Sequence, residues 1–167
     1  ADFDDHLTGL DMLIDEGIAD PERLAIYGAS YGGYAAAWAV SQTDRFQAAV
    51  SRSGLMDLHS AYAQTDERAL IRAYFGTAPY GDPQAYRSRS PLHFAENIRT
   101  PLLLLHGEDD SVVDVGQSIQ MYRALRHFGV DTELITYPRE GHRFTEPLHE
   151  RDLRERVLEW LDKYLKD

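Results

Sequence analysis

The fold is decided by residues 24–38, which read LAIYGASYGGYAAAW. A short run of aliphatic and aromatic residues leads into the pattern Gly-x-Ser-x-Gly, and small apolar residues follow it at helical density. This order is typical of a strand, a tight turn and a helix. In such a nucleophile elbow the turn lifts the serine hydroxyl out of the sheet, and glycines on either side leave room where a Cβ would clash. The sequence therefore predicts Ser30 as a nucleophile, with Gly28 and Gly32 as the glycines that permit the turn.

Length and composition limit the class of protein. With 167 residues, 43% hydrophobic and 27% charged, the chain is expected to form a single unit with one core over residues 1–167. The formal net charge of −11 disfavours nucleic acid and anionic membranes as partners, although a solvated acidic surface also explains it. No apolar run reaches the ~18–20 residues of a membrane span.

The residue types present also limit the chemistry. The chain has no cysteine, which excludes disulfides, thiolate catalysis and cysteine-based metal sites. No motif indicates a metal, a nucleotide or a flavin, so no cofactor and no metal ligand are expected. A cytoplasmic location is the expectation for the compartment.

Strands and helices alternate along the chain. The chain is expected to open on a helix that stops at Gly17, since glycine readily adopts the left-handed conformation of a helix end. Alternation of this kind predicts an α/β protein with a mainly parallel sheet. The predicted strands span residues 24–28, 46–51, 102–106 and 132–137, and the predicted helices span residues 3–14, 66–74, 83–89, 114–128 and 147–166, besides the helix after the elbow.

Residues 54–100 form the longest irregular connection. Insertions of this length commonly shape a binding site or a lid. A solvated loop explains the segment equally well, so both interpretations stay open.

The ends of three predicted strands deliver the residue types that a serine nucleophile needs. A serine hydroxyl requires a general base, usually histidine, and an acid that orients the base. Ser30 follows the strand 24–28, the acidic run 108–110 follows the strand 102–106, and His142 follows the strand 132–137. The carboxyl ends of parallel strands lie at one edge of a sheet, so these groups are expected to meet there. The chain order of serine, acid and histidine is that of α/β-hydrolases.

The other histidines are expected to have different roles. His106 ends a strand directly before a glycine and is interpreted as a structural hydrogen-bonding residue. The remaining five, expected on the surface or on a helix face, are His6, His59, His93, His127 and His149.

Three motifs together resemble the catalytic domain of the prolyl oligopeptidase family of serine peptidases. They are GASYGGY at residues 28–34, HGEDD at 106–110 and YPREGH at 137–142. The acylaminoacyl-peptidase and dipeptidyl-peptidase branches are the most similar, and the resemblance extends over nearly the whole chain. It implies an α/β-hydrolase fold of which this chain holds the C-terminal half, with strands equivalent to 5-6-7-8.

The resemblance also implies a role for each residue. In the family the acid lies four residues after the histidine of the His-Gly pair, which selects Asp110. Ser30 would attack a carbonyl, His142 would take and return the proton, and Asp110 would orient His142. The backbone N–H of Tyr31 would donate one hydrogen bond to the oxyanion.

A specificity pocket is implied just after the strand that comes next after the elbow. In this sequence Leu55 and Met56 lie there and indicate an apolar pocket for a peptide or a small ester, with Tyr34 and Tyr62 as further contributors. Packing of Leu55 and Met56 in the core is the equally good alternative.

The chain departs from the family pattern at its beginning. Members have a β-propeller and about four strands ahead of the elbow strand, and neither precedes it here. A second oxyanion donor would come from that part. Strand 24–28 is then expected to expose an apolar edge, which either a missing N-terminal half or a second copy of the chain would cover.

Two other functions remain open. A carboxylesterase or dienelactone-type hydrolase has the same fold and the same order of catalytic residues, although the run Tyr31-Gly32-Gly33-Tyr34 favours the peptidase. An inert α/β module that binds a partner or serves as scaffold is the alternative from a different class.

Overall fold

Four strands form one parallel sheet in the computed structural model, which describes residues 2–166. They are β1 (Ala25–Ala29), β2 (Ala48–Arg52), β3 (Leu102–Gly107) and β4 (Thr132–Tyr137), in the order β1-β2-β3-β4 across the sheet. The helices are α1 (Asp2–Asp15), α2 (Tyr31–Gln42), α3 (Leu58–Gln64), α4 (Arg68–Phe75), α5 (Pro83–Arg87), a 3₁₀ helix (Pro91–Asn97), α6 (Gly116–His127) and α7 (Pro147–Leu165). Each pair of consecutive strands is joined through at least one helix, as parallel pairing requires. The predicted α/β class and mainly parallel sheet are confirmed.

Helices cover both faces of the sheet. Leu102 and Leu104 of β3 pack into a core with α1, α2, α6 and the 3₁₀ helix. Leu103 and Leu105, on the opposite face, pack against α7. Because β3 is buried on both faces, its sequence is a continuous apolar run rather than an alternating one. Among the helices of residues 2–166, none combines the length and the apolar character that crossing a membrane would take.

The segment 54–100 contains more helix than predicted. The structure places α4 and α5 close to the expected ranges, and Gly76 ends α4 in the left-handed conformation at φ 70°. The sequence reasoning missed α3. Its signal is Asp57, whose carboxylate accepts hydrogen bonds from the N–H groups of His59 and Ser60 and so caps the helix.

Strand β1 forms one edge of the sheet. Within the described part of the chain it pairs with β2 alone, and the side chain of Tyr27 is 51% exposed. An uncovered edge is therefore present at the strand that was predicted to have one.

Two positions around the elbow must be glycine, because other backbone atoms approach them too closely for a Cβ. A Cβ on Gly28 would lie 2.3 Å from the backbone of Gly32, and a Cβ on Gly33 would lie 2.6 Å from the carbonyl oxygen of Arg52. A Cβ on Gly32 would meet no atom within 4 Å. The steric requirement predicted for Gly32 is therefore wrong, because the tight contact is made by the next residue, where α2 packs against the end of β2.

The two neighbouring glycines give a matched pair of variants. Gly33→Ala is expected to lower the free energy of unfolding by about 2 kcal/mol, since the new methyl group overpacks against rigid backbone. Gly32→Ala is expected to leave it unchanged or raise it by up to about 1 kcal/mol, because alanine favours the helix. Urea denaturation of both variants measures the difference, and equal effects would contradict this account of the elbow.

Candidate active site

Ser30 lies in the turn between β1 and α2 in an unusual backbone conformation. Its φ is 58° and its ψ is −120°, which residues with a side chain rarely adopt. The N–H of Ser30 donates to the carbonyl of Arg52 at 2.9 Å, and the carbonyl of Ser30 accepts from the N–H of Tyr34 at 3.0 Å. These two bonds tie the turn to β2 and to α2, and they hold the strained conformation that presents the hydroxyl at the sheet edge.

His142 contacts Ser30 and Asp110 at the same time. Its Nε2 lies 2.8 Å from the Oγ of Ser30, and its Nδ1 lies 2.8 Å from the Oδ2 of Asp110. An ionised carboxylate only accepts hydrogen bonds, so Nδ1 is the protonated nitrogen and Nε2 accepts the hydroxyl proton of Ser30. The structure thus brings together three side chains that the sequence places after β1, β3 and β4.

Asp110 is held as a carboxylate by the groups around it. Its Oδ1 accepts the N–H groups of Val112 at 3.0 Å and of Val113 at 2.8 Å. Burial favours the neutral acid, but the His106 ring 3.5 Å away and the hydrogen bonds from His142 and Val113 outweigh it and hold the pKa of Asp110 well below its usual range. The neighbouring Asp109 and Glu108 are exposed, so Asp110 is the member of the acidic run that faces the histidine.

His106 is fully buried and has the structural role predicted for it. Its Nε2 donates to the carbonyl of Val113 at 2.8 Å, so its Nδ1 accepts the hydroxyl proton of Ser118 at 2.7 Å. The same Nε2 lies 3.5 Å from the Oδ2 of Asp110. The ring therefore braces the turn that positions Asp110.

An apolar cavity of about 790 Å³ opens on one side of Ser30. Tyr34 and Leu55 line it, as expected, together with Tyr31 and with residues of α4 such as Ile71 and Tyr74. Tyr31 is the first residue of α2, and the backbone amide groups and the dipole at this helix end favour a negative charge.

Two residues predicted for this pocket lie elsewhere. Met56 is fully buried in the core, because it comes directly after Leu55 and faces the opposite way, into the cluster around β3. Tyr62 packs edge-on against Tyr80 and Tyr86, with ring centroids 6.0 and 6.2 Å away, and does not line the cavity. The placement of Met56 and Tyr62 in the pocket is therefore wrong.

Comparison with known proteins agrees with this geometry. The model of the prolyl oligopeptidase family matches residues 1–167. The chain belongs to the prolyl oligopeptidase family. The resemblance seen in the sequence motifs is thereby confirmed.

Individual relatives show how far the similarity extends. The uncharacterized peptidase YuxL of Bacillus subtilis is 34% identical over 98% of this chain and 26% of its own length. Dipeptidyl-peptidase 5 of Porphyromonas endodontalis is 32% identical over 97% of this chain and 24% of its own. The acylaminoacyl peptidase of Pyrococcus horikoshii superposes with a TM-score of 0.93 at 32% identity, over 99% of this chain and 28% of its own. The fold is that of the α/β-hydrolases, and the chain spans about a quarter of the length of these family members.

A buried glutamate next to the histidine loop was not predicted. Glu140 is fully buried, and its carboxylate accepts the N–H groups of Thr145 at 2.8 Å and of Glu146 at 2.9 Å. The Nδ1 of His149 lies 3.0 Å from the same carboxylate. Burial opposes ionisation of Glu140, but these hydrogen bonds prevail and lower its pKa. Glu140 therefore holds the loop that contains His142 in place through these hydrogen bonds. The only sequence signal for Glu140 was its place in the YPREGH motif of the family.

This loop and the first turn of α7 together contain the one group of possible metal ligands found in the described part of the chain. Ligand atoms of Glu140, Glu146 and His149 all lie within 4.8 Å of one another. Each of them already has a protein partner, since Glu146 pairs with Arg139 at 2.7 Å and Glu140 with the two amides and His149. The three side chains are therefore already satisfied by hydrogen bonds and ion pairs with other residues of the protein.

Glu140→Gln is expected to lower the free energy of unfolding at pH 7 by about 2 kcal/mol, because an amide NH₂ must then face a backbone N–H. In the unchanged protein the contribution of Glu140 is present above the ordinary glutamate pKa of about 4.3 and is lost as the pH falls through its lower folded value. Glu140→Gln should not show this loss of stability at low pH. Denaturation between pH 3 and 7 tests it, with the exposed Glu133→Gln as control; identical pH profiles for Glu140→Gln and the unchanged protein would contradict the assignment.

Proposed function

We propose that this chain contains the nucleophile, base and acid of a serine peptidase that hydrolyses peptide bonds through an acyl-enzyme. The observation behind the proposal is the unbroken hydrogen-bond chain from Asp110 through His142 to Ser30, with both links at 2.8 Å. The names of the relatives, an acylaminoacyl peptidase and a dipeptidyl-peptidase, support acyl-aminoacyl or oligopeptide substrates.

Each residue has a step in this mechanism. Ser30 attacks the scissile carbonyl while Nε2 of His142 takes its proton, and the imidazolium is stabilised by Asp110, which stays ionised. The backbone N–H of Tyr31 donates to the oxyanion at the positive end of α2. His142 then protonates the leaving amine, water attacks the acyl-enzyme by the reverse sequence, and Ser30 is regenerated.

The apolar cavity of about 790 Å³ favours peptides over small esters as substrates. Its walls of Tyr31, Tyr34, Leu55 and Ile71 suit an apolar side chain on the acyl side of the scissile bond. A small ester would leave most of this apolar surface in contact with water. Comparing peptide with ester hydrolysis separates the two hydrolase classes.

Labelling by a fluorophosphonate probe, followed by kinetics, tests the proposal in the complete protein. The unchanged protein and Ser88→Ala, a control at an exposed serine, should be labelled, whereas Ser30→Ala should not. Ser30→Ala and His142→Ala should each lower kcat by a factor on the order of 10⁴ to 10⁶, because the triad acts as a unit. Folded, unlabelled protein would point instead to an inert module.

We also propose that further strands of a longer protein cover the edge strand β1. The support is that β1 pairs only with β2 within residues 2–166, and that the relatives are about four times longer.

Light scattering on the 167-residue chain alone tests this second proposal. The exposed edge should lead to self-association that increases with concentration, while the complete protein should not associate through this edge. A chain that stays monomeric at high concentration would speak against the need for a cover.

A further inference from the structure

A second cavity adjoins Ser30, and its walls are basic. It has a volume of about 530 Å³, and we call it the arginine cavity; Arg52, Arg143 and Phe144 line it together with Ser30 and His142. The apolar cavity shares only Ser30 with it. The hydroxyl of Ser30 therefore lies between two cavities of different chemistry.

The position of His142 identifies which part of a substrate each cavity would hold. In peptide hydrolysis the leaving amine takes its proton from the general base, so the leaving group must lie within reach of Nε2 of His142. His142 lines the arginine cavity and does not line the apolar one. Tyr31, the oxyanion donor proposed above, lines the apolar cavity only. The apolar cavity is thus on the acyl side and the arginine cavity is on the leaving-group side.

The two arginines have no ionic partner in the described part of the chain. No carboxylate of residues 3–166 forms an ion pair with Arg52 or Arg143, although the chain has a formal net charge of −11. Glu150, which also lines the cavity, pairs instead with Arg154 at 2.9 Å. In an acidic protein, two cations without carboxylate partners beside the nucleophile mark a place for an anion.

The lack of an ionic partner within the described residues is clearest for Arg52. Its guanidinium lies over the ring of Phe144, with its central carbon 4.4 Å from the ring centroid. The Nε of Arg52 is buried and has no hydrogen-bond partner among the described residues. A buried donor without an acceptor costs free energy, and the guanidinium has further N–H groups with which it can bind a carboxylate.

We propose that the arginine cavity binds a carboxylate of the leaving group. The proposal rests on the peptidase function proposed above, and it makes Arg52 and Arg143 determinants of specificity on the leaving-group side of the scissile bond. The carboxylate has two possible sources: the free C-terminus of a short leaving peptide, or an acidic side chain directly after the scissile bond. Both present the same planar anion to a guanidinium.

Three peptides with the same blocked acyl part test the proposal in the complete protein. Their leaving groups are Ala-Ala with a free carboxylate, Ala-Ala amide, and Glu-Ala amide. At least one of the two anionic peptides should have a kcat/KM about tenfold above the neutral amide, as expected for hydrogen bonds to a charged group. The free-carboxylate peptide reports the C-terminus and the Glu peptide reports the side chain, and equal values for all three peptides overturn the proposal.

Substitutions assign the preference to the arginines. In Arg52→Gln and Arg143→Gln the ratio of anionic to neutral kcat/KM should fall towards 1, and a ratio that persists in both overturns the assignment. Arg143 is exposed, so its variant is expected to fold even if Arg52→Gln does not. The control is Arg123→Gln, an exposed arginine on α6, which should keep the ratio.

Fluorophosphonate labelling distinguishes a failure of the anion-site proposal from a failure of the proposed peptidase function. A labelled protein that cleaves the three peptides equally disproves the anion site alone. A folded protein that is neither labelled nor active disproves the peptidase function and the anion site together.

Discussion

The buried pairing of β3 with its two neighbours is the constraint on which the site depends. All six residues of β3 are buried, and the register joins Leu105 to Arg52 on one side and Gly107 to Tyr137 on the other. Asp110 and His142 come after these strands within a few residues. A slip of one residue would move a strand end by about 3.3 Å and turn its side chains to the other face. Hydrogen bonds of 2.8 Å would not survive such a shift.

Register alone leaves the loops after the strands free, and buried polar side chains remove that freedom. The loop after β3 is held because Asp110 accepts two backbone N–H groups and His106 bridges Val113 and Ser118. The loop after β4 is held because Glu140 accepts the N–H groups of Thr145 and Glu146. In both loops a buried carboxylate, in place of water, accepts hydrogen bonds from the backbone amides of the turn. A buried carboxylate is stable only when its hydrogen bonds are satisfied, so each loop has one well-defined conformation.

The sequence predicted what depends on the order of residues along the chain. Apolar runs gave the four strands, and strand ends gave Ser30, His142 and the acidic run, because parallel topology brings such ends together. The choice of Asp110 within the run 108–110 needed the family resemblance. What depends on packing between distant segments was missed.

Three features that the sequence did not predict have a common physical origin. Whether Gly32 or Gly33 must lack a side chain is decided by where the end of β2 lies. Whether Leu55 or Met56 faces the cavity is decided by the direction of the chain after β2, which the amides of Met56 and Asp57 fix by donating to Gln117 more than fifty residues away. No local pattern contains that information.

The charge distribution around Ser30 was missed for the same reason, because Arg52 and Glu150 reach one cavity from distant elements. This distribution bears on the chemistry. In the proposed mechanism His142 becomes positive when it takes the proton of Ser30, and Asp110 favours that state while the unpaired arginines of the arginine cavity oppose it. A carboxylate on the leaving group would neutralise the arginines when the imidazolium forms. It would therefore stabilise the transition state as well as bound substrate, and the preference should appear in kcat as well as in KM.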